Sequence, residues 1–153
     1  MKRDRTPAKL LLSVAAVCAL LVGCATPKFE LERVKCNTGN CDASVHVDPI
    51  TCEVSGSDID NWGSNNITWT IDQSSQAAGF KFPVQAVHLG IFLKPPSPFG
   101  CQDAQGVFDS PQQTDKKFKL HNKGNQGTYC YGIYVVRDSP PSSCMYDPSI
   151  VNH

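Results

Sequence analysis

Histidine and cysteine are the residues of this chain best equipped for chemistry, and the sequence holds four of the first and eight of the second. His46 and Asp48 alternate in "SVHVDP", so on a strand both project from one face. With His88 or His121 they would supply the donors of a metal site or a proton-transfer pair. The same alternation describes the solvated face of a strand, and that is the reading carried forward. Other catalytic patterns do not assemble. The chain has no Gly-x-Ser-x-Gly elbow and no helical stretch to present His-Glu-x-x-His. Asp58 and Asp60 lie in the polar run "SGSDIDNWGSNN", which reads as an exposed loop. We therefore expect no catalytic residue, no metal ligand, no cofactor and no enzymatic activity.

Cys24 has a different setting. Lys2, Arg3, Arg5 and Lys9 precede an apolar run from Leu10 to Val22 that only Ser13 interrupts. A basic head, a short apolar segment and small residues at its end describe an export signal. A spanning helix needs about 20 apolar residues, so this run is too short to remain as an anchor. Leu21, Val22, Gly23 and Cys24 resemble the lipobox of bacterial lipoprotein signals, which is Leu, a variable residue, a small residue, then Cys. The resemblance implies cleavage after Gly23, diacylglycerol on the Cys24 thiol, and a further acyl chain such as palmitate on the new amino group. Ala25 in place of Asp implies sorting to the outer membrane. Two or more acyl chains hold firmly where one binds only marginally. Residues 1–23 are then a signal peptide, 24–44 a lipid anchor and tether, and 45–153 a folded domain facing the periplasm.

The basic residues leave with the signal, so the remainder is mildly acidic. Such a chain lacks the electrostatic footprint of a nucleic-acid binder, and Lys116, Lys117 and Lys119 read as a solvated strand face. Past Cys24 stand Cys36, Cys41, Cys52, Cys101, Cys130 and Cys144. An even set in an exported chain reads as disulfides. A thiolate zinc site favours closely spaced cysteine pairs, and here only Cys36 and Cys41 are close. The "NTGN" between them is turn chemistry, which pairs Cys36 with Cys41 and leaves the partners of the other four open.

The elements that must position these residues read as strands. "NITWTI", "KKFKLHN" and "TYCYGIYVV" are β-branched, aromatic or alternating, and "SVHVDPITCEV" and "GFKFPVQAVHLGIFL" add shorter runs. Runs of this kind at close spacing imply an all-β, single antiparallel sandwich. Pro83 belongs at an edge or bulge, because it cannot donate to a ladder. From Lys94 to Lys116 no clear strand emerges beyond a short edge strand around Gly106 to Phe108. A loop of that length is functional or tied down, and Cys101, Phe99, Val107 and Phe108 would pin it. Trp62, in a Gly- and Asn-rich loop, is placed on the edge of the core.

Asn125, Gly127 and Tyr129 fall on the spacing of a tyrosine corner, in which a Tyr near the start of a late strand bonds back to upstream backbone. "GTYCY" also resembles the cupredoxins, small β-sandwiches that bind copper, and "ITWTI" is similar to their Trp-bearing strand. "YDPSIVN" is similar to the closing segment of uncharacterised bacterial single-sandwich proteins. The resemblance implies a cupredoxin-like or Ig-like Greek key. It carries no copper site, because Ile133 stands where the family has its Cys ligand and Val136, Arg137 and Asp138 stand where a His is expected.

These readings converge on a membrane-anchored envelope lipoprotein acting as a non-enzymatic binding or structural module. It would hold the membrane through Cys24 and an envelope protein or glycan through Trp62, Phe99 and Phe108. The alternative is a diverged cupredoxin-type metal-binding or redox protein using His46, His88 or Cys144. An inhibitor of an envelope enzyme would share the features of the first reading.

Overall fold

The computed structural model describes residues 33–37, 39–83 and 89–153; the segment expected to be a signal, Cys24 and His88 lie outside the described residues. In chain order the elements are β1 (Val34–Cys36), β2 (Gly39–Val47), β3 (Val54–Ser55), β4 (Ile59–Asn61), β5 (Asn65–Ile71), α1 (Gln73–Ala77) and β6 (Phe80–Lys81). There follow β7 (Ile91–Leu93), β8 (Phe108–Gln113), β9 (Lys117–Asn122), β10 (Gly127–Asp138), β11 (Pro141–Tyr146) and β12 (Ser149–Asn152). The protein is all-β in character, with one short helix among the described residues.

Two sheets result. One runs β3-β2-β5-β9-β8, and the other runs β1-β4-β12-β10-β11 with β6 and β7 also on β10. The inward residues of β5 (Ile67, Trp69, Ile71), β9 (Phe118, Leu120) and β10 (Tyr131, Ile133, Val135) belong to one buried apolar cluster. Strict alternation produces this, because successive side chains on a strand point to opposite faces. Across the cluster the Trp69 indole Nε1 donates to the Tyr131 hydroxyl at 3.1 Å, and that hydroxyl donates to the Ser57 carbonyl at 2.8 Å. Each polar atom of two large buried side chains is thereby satisfied.

The ladders are mixed rather than antiparallel throughout. β2 runs parallel to β5, and β4 runs parallel to both β1 and β12. The reason is connectivity: after β2 the chain turns back briefly as β3, passes to the other sheet to form β4 and returns as β5, so β2 and β5 start at the same end. The sheets also begin earlier than residue 45. Cys41, Ala43, Val45 and Val47 alternate buried with exposed Asp42, Ser44 and His46, while small Ala43 and a bridged Cys41 disguise the upstream half of the pattern.

The segment from Lys94 to Lys116 does contain an edge strand, but it starts at Phe108 and continues to Gln113. Gly106 and Val107 form the turn before it. Pro111 is tolerated because β8 is the last strand of its sheet, where an N–H is not needed on the free side. A register shift between Asp109 and Gln112, with Ser110 at φ 53°, bends this edge and blunts it against pairing with another chain. Pro83 stands two residues past the end of β6, outside any ladder. Asp147 and Pro148 separate β11 from β12, which pair in succession along β10.

Candidate functional site

All six cysteines among the described residues are bridged: Cys36 to Cys41, Cys52 to Cys144, and Cys101 to Cys130. The first closes the turn between β1 and β2. The second ties the start of the β3 region to β11. The third bolts the long segment after β7 to β10, the central strand of its sheet. With its thiol in a bridge, Cys144 is not available as a metal ligand, which removes one donor from the metal-binding alternative.

The histidines and acids part company as well. Along the paired strands Val45 lies opposite Ile71, whereas His121 lies opposite Asn66. His46, one step past Val45, therefore stands six residues along the ladder from His121, roughly 20 Å at about 3.3 Å per residue. His46 Nδ1 instead meets Asp72 Oδ2 at 2.6 Å. Asp72 caps α1, its Oδ1 accepting from Ser75 N at 2.7 Å and from the Ser74 hydroxyl at 2.8 Å. Partial burial pushes the Asp72 pKa up, but the bonds from Ser75, Ser74 and His46 outweigh it and hold the carboxyl at about 2. Asp48 serves a turn, accepting from Ile50 N and Thr51 N at 2.8 Å each, and the Thr51 and Ile50 bonds keep it below the usual carboxylate range. His121 Nε2 pairs with Ser64 Oγ at 3.3 Å. Among the described residues no three His, Cys, Asp or Glu side chains gather as a metal site.

Asp60 is not exposed, as the sequence suggested, but only 9 % accessible. It lies on β4, where its Oδ1 takes Arg33 Nη1 at 3.0 Å and faces His153 Nε2 at 3.7 Å. Asp58 is half-buried and accepts from Ser149 N and Oγ at 2.8 and 3.0 Å. Two short strands in sequence, β3 and β4, carried no apolar run long enough to reveal that this stretch enters a sheet.

The three aromatic residues expected to form a binding surface occupy different places. Trp62 is 38 % exposed at the end of β4, its ring stacked on His153 with centroids 4.4 Å apart and planes inclined by 13°. It is thus offered to solvent rather than folded onto the core. Phe108 is half-buried and packs edge-on against Tyr129, centroids 5.4 Å apart. Phe99 is 96 % exposed, on the turn where Ser97 N donates to Cys101 O at 2.9 Å. That turn leaves from the β7 side of β10, since Lys94 N donates to Cys130 O, while Trp62 lies beyond β12. The strands β10, β12 and β4 separate the two, roughly 15 Å at the usual strand spacing. The structure does not gather Trp62 with Phe99.

What does gather beside Trp62 is asparagine. β4 ends at Asn61, β12 at Asn152 and β9 at Asn122, while β5 starts at Asn65, and all four side chains are buried. Asn65 Nδ2 donates to Asn61 Oδ1 at 2.7 Å, and Asn61 Nδ2 donates to Asn152 Oδ1 at 3.2 Å. Asn122 and Asn152 bond reciprocally at 2.8 and 3.1 Å. Members of the network also reach the surface backbone: Asn65 to the Trp62 carbonyl (3.1 Å), Asn61 to that of Gly63 (2.7 Å) and Asn152 to that of Asn125 (2.8 Å). The turn around Gly124 packs so closely on Gly63 that a Cβ on Gly124 would sit 2.6 Å from the Gly63 carbonyl. Gly124 at φ 79° and Gly63 at φ 81° need glycine for their backbone as well. Tyr129 joins the same end, its hydroxyl donating to Asn125 O at 3.1 Å in the corner arrangement its spacing suggested.

No family model matches the chain, and no curated protein matches it as a relative.

Proposed function

We propose that this chain is an exported bacterial lipoprotein, held in the outer membrane through lipid on Cys24, whose folded part faces the periplasm as a non-enzymatic binding or structural module. The observation that carries the reading is the bridging of every described cysteine, since disulfides persist in oxidising compartments such as the periplasm. That agrees with a signal ending in Leu21-Val22-Gly23-Cys24. For the architecture we propose one sandwich with Greek-key connections, of cupredoxin-like or Ig-like kind. The bond between Trp69 and Tyr131 and the tyrosine corner at Tyr129 support it. For the partner we propose an envelope protein or a glycan, met through loops on a rigid frame.

The test is metabolic labelling with palmitate of cells expressing the chain and its Cys24→Ala variant. The parent takes label and fractionates with membranes, while the variant takes none and is released. Equal labelling of both would refute lipidation at Cys24.

A further inference from the structure

Four buried amides at one end of a domain are an expensive arrangement, because each carbonyl and amino group removed from water must find a partner inside. Their placement explains what they accomplish. The carbonyls of Trp62, Gly63 and Asn125 are each held from below by a buried asparagine, so two adjoining surface turns share one rigid base. Asn65 Oδ1 is buried and meets no protein donor in the network. On top of that base stands a half-open indole. Exposed Asn37, Ser64, Asn125 and Gln126 belong to this turn and to those it meets through Cys36 O and Gly124.

The chemistry of this end is specific. The turns Trp62–Ser64 and Gly124–Gln126 carry no charged side chain, and the flanking Arg33 and Lys123 are paired with Asp60 and Asp109. What remains is neutral: an aromatic face and side chains that both donate and accept. A pyranose ring is the complement of such a surface. Its C–H face is apolar and packs on an indole, and its hydroxyls donate and accept as amides and a serine hydroxyl do. Turns fixed beforehand lose little freedom when a ligand arrives.

We propose that the Trp62 end is a binding site for a neutral saccharide chain, with Trp62 as the stacking platform and Ser64, Asn125 and Gln126 as hydroxyl partners. This rests on the reading of the chain as an envelope binding module and names the ligand class for it. His153 covers one face of the indole, so the sugar would take what is open of the rest of a residue that is 38 % exposed.

The experiment uses the full chain purified from membranes in detergent, titrated separately with N-acetylglucosamine tetramer and with maltotetraose, and followed by calorimetry and tryptophan emission. At least one sugar gives saturable binding. Trp62→Ala weakens it about tenfold or more, Trp62→Phe retains most of it, and Gln126→Ala weakens it about threefold, as loss of an anchor and of a peripheral contact should. Circular dichroism and intact disulfides establish that each variant is folded. No saturable binding of either sugar by the parent, or undiminished binding by folded Trp62→Ala and Gln126→Ala, overturns the assignment. Mass analysis of the same preparation separates the two readings. A lipidated chain that ignores both sugars sinks the saccharide site alone, and an unlipidated chain that binds one sinks the anchor alone.

Discussion

Asn122 and Asn152 face each other as a reciprocal amide pair, each donating its Nδ2 to the other's Oδ1, at 2.8 and 3.1 Å. One belongs to each sheet, so the pair ties β9 to β12 at the end where Trp62 emerges. Burial makes such a pair strong when complete and costly when halved.

Asn152→Ala is accordingly expected to lower stability by about 3 kcal/mol, since it strands the buried amides of Asn122 and Asn61. Replacing both members, as Asn122→Leu with Asn152→Leu, should cost less than the sum of the two single changes. Urea unfolding of the oxidised protein measures this. Strict additivity would show that the two amides do not act as a unit.

The Trp69–Tyr131 bond makes a parallel case in the middle of the core. Tyr131→Phe leaves Trp69 Nε1 buried without its acceptor and Ser57 O without its donor. A loss of about 2 kcal/mol is expected, and Trp69→Phe should then add little of the hydrogen-bond term. Burial also pushes the Tyr131 hydroxyl far above the usual phenol range, so its ultraviolet titration is expected only on unfolding in alkali.

The bridges should rank by the chain they enclose. Sequence separations of 92, 29 and 5 for Cys52–Cys144, Cys101–Cys130 and Cys36–Cys41 correspond to about 4.5, 3.5 and 2 kcal/mol of loop-closure entropy. Denaturation of the three double-serine variants tests the order. Greatest damage from opening Cys36–Cys41 would mean that the β1–β2 turn matters more than chain entropy allows.

Asp72 sets an acid limb. A carboxyl held at about 2 when folded, against about 3.9 when unfolded, contributes stability in full above pH 4 and loses it as pH falls from 4 towards 2. Asp72→Asn keeps a capping side chain and should flatten that limb, whereas Asp72→Ala should also cost about 1 kcal/mol at neutral pH through the lost cap of α1. Acid unfolding curves of the three proteins separate charge from cap.

Much of this architecture was legible in the chain. β5, β9 and β10 announce themselves because apolar residues recur at every second position over most of each strand, and "NTGN" points to the Cys36–Cys41 turn. The asparagines escaped because their composition reads as turn chemistry, yet their phase gave the signal. Asn65 is in step with Ile67 and Trp69, Asn122 with Phe118 and Leu120, Asn152 with Ile150, and Asn61 with Ile59. Period-two position says buried where residue type says exposed, and position wins because the partners are other asparagines in the same phase. The parallel ladders had no such signal, since strand direction depends on which sheet the chain visits between β2 and β5.

The central claim is export with lipid on one thiol, and intact mass spectrometry of the chain from its native membranes reads it directly. The account requires a polypeptide beginning at residue 24 with a diacylglyceryl thioether, an acylated amino group and three disulfides. A start at any other residue, or an unmodified Cys24, would contradict it.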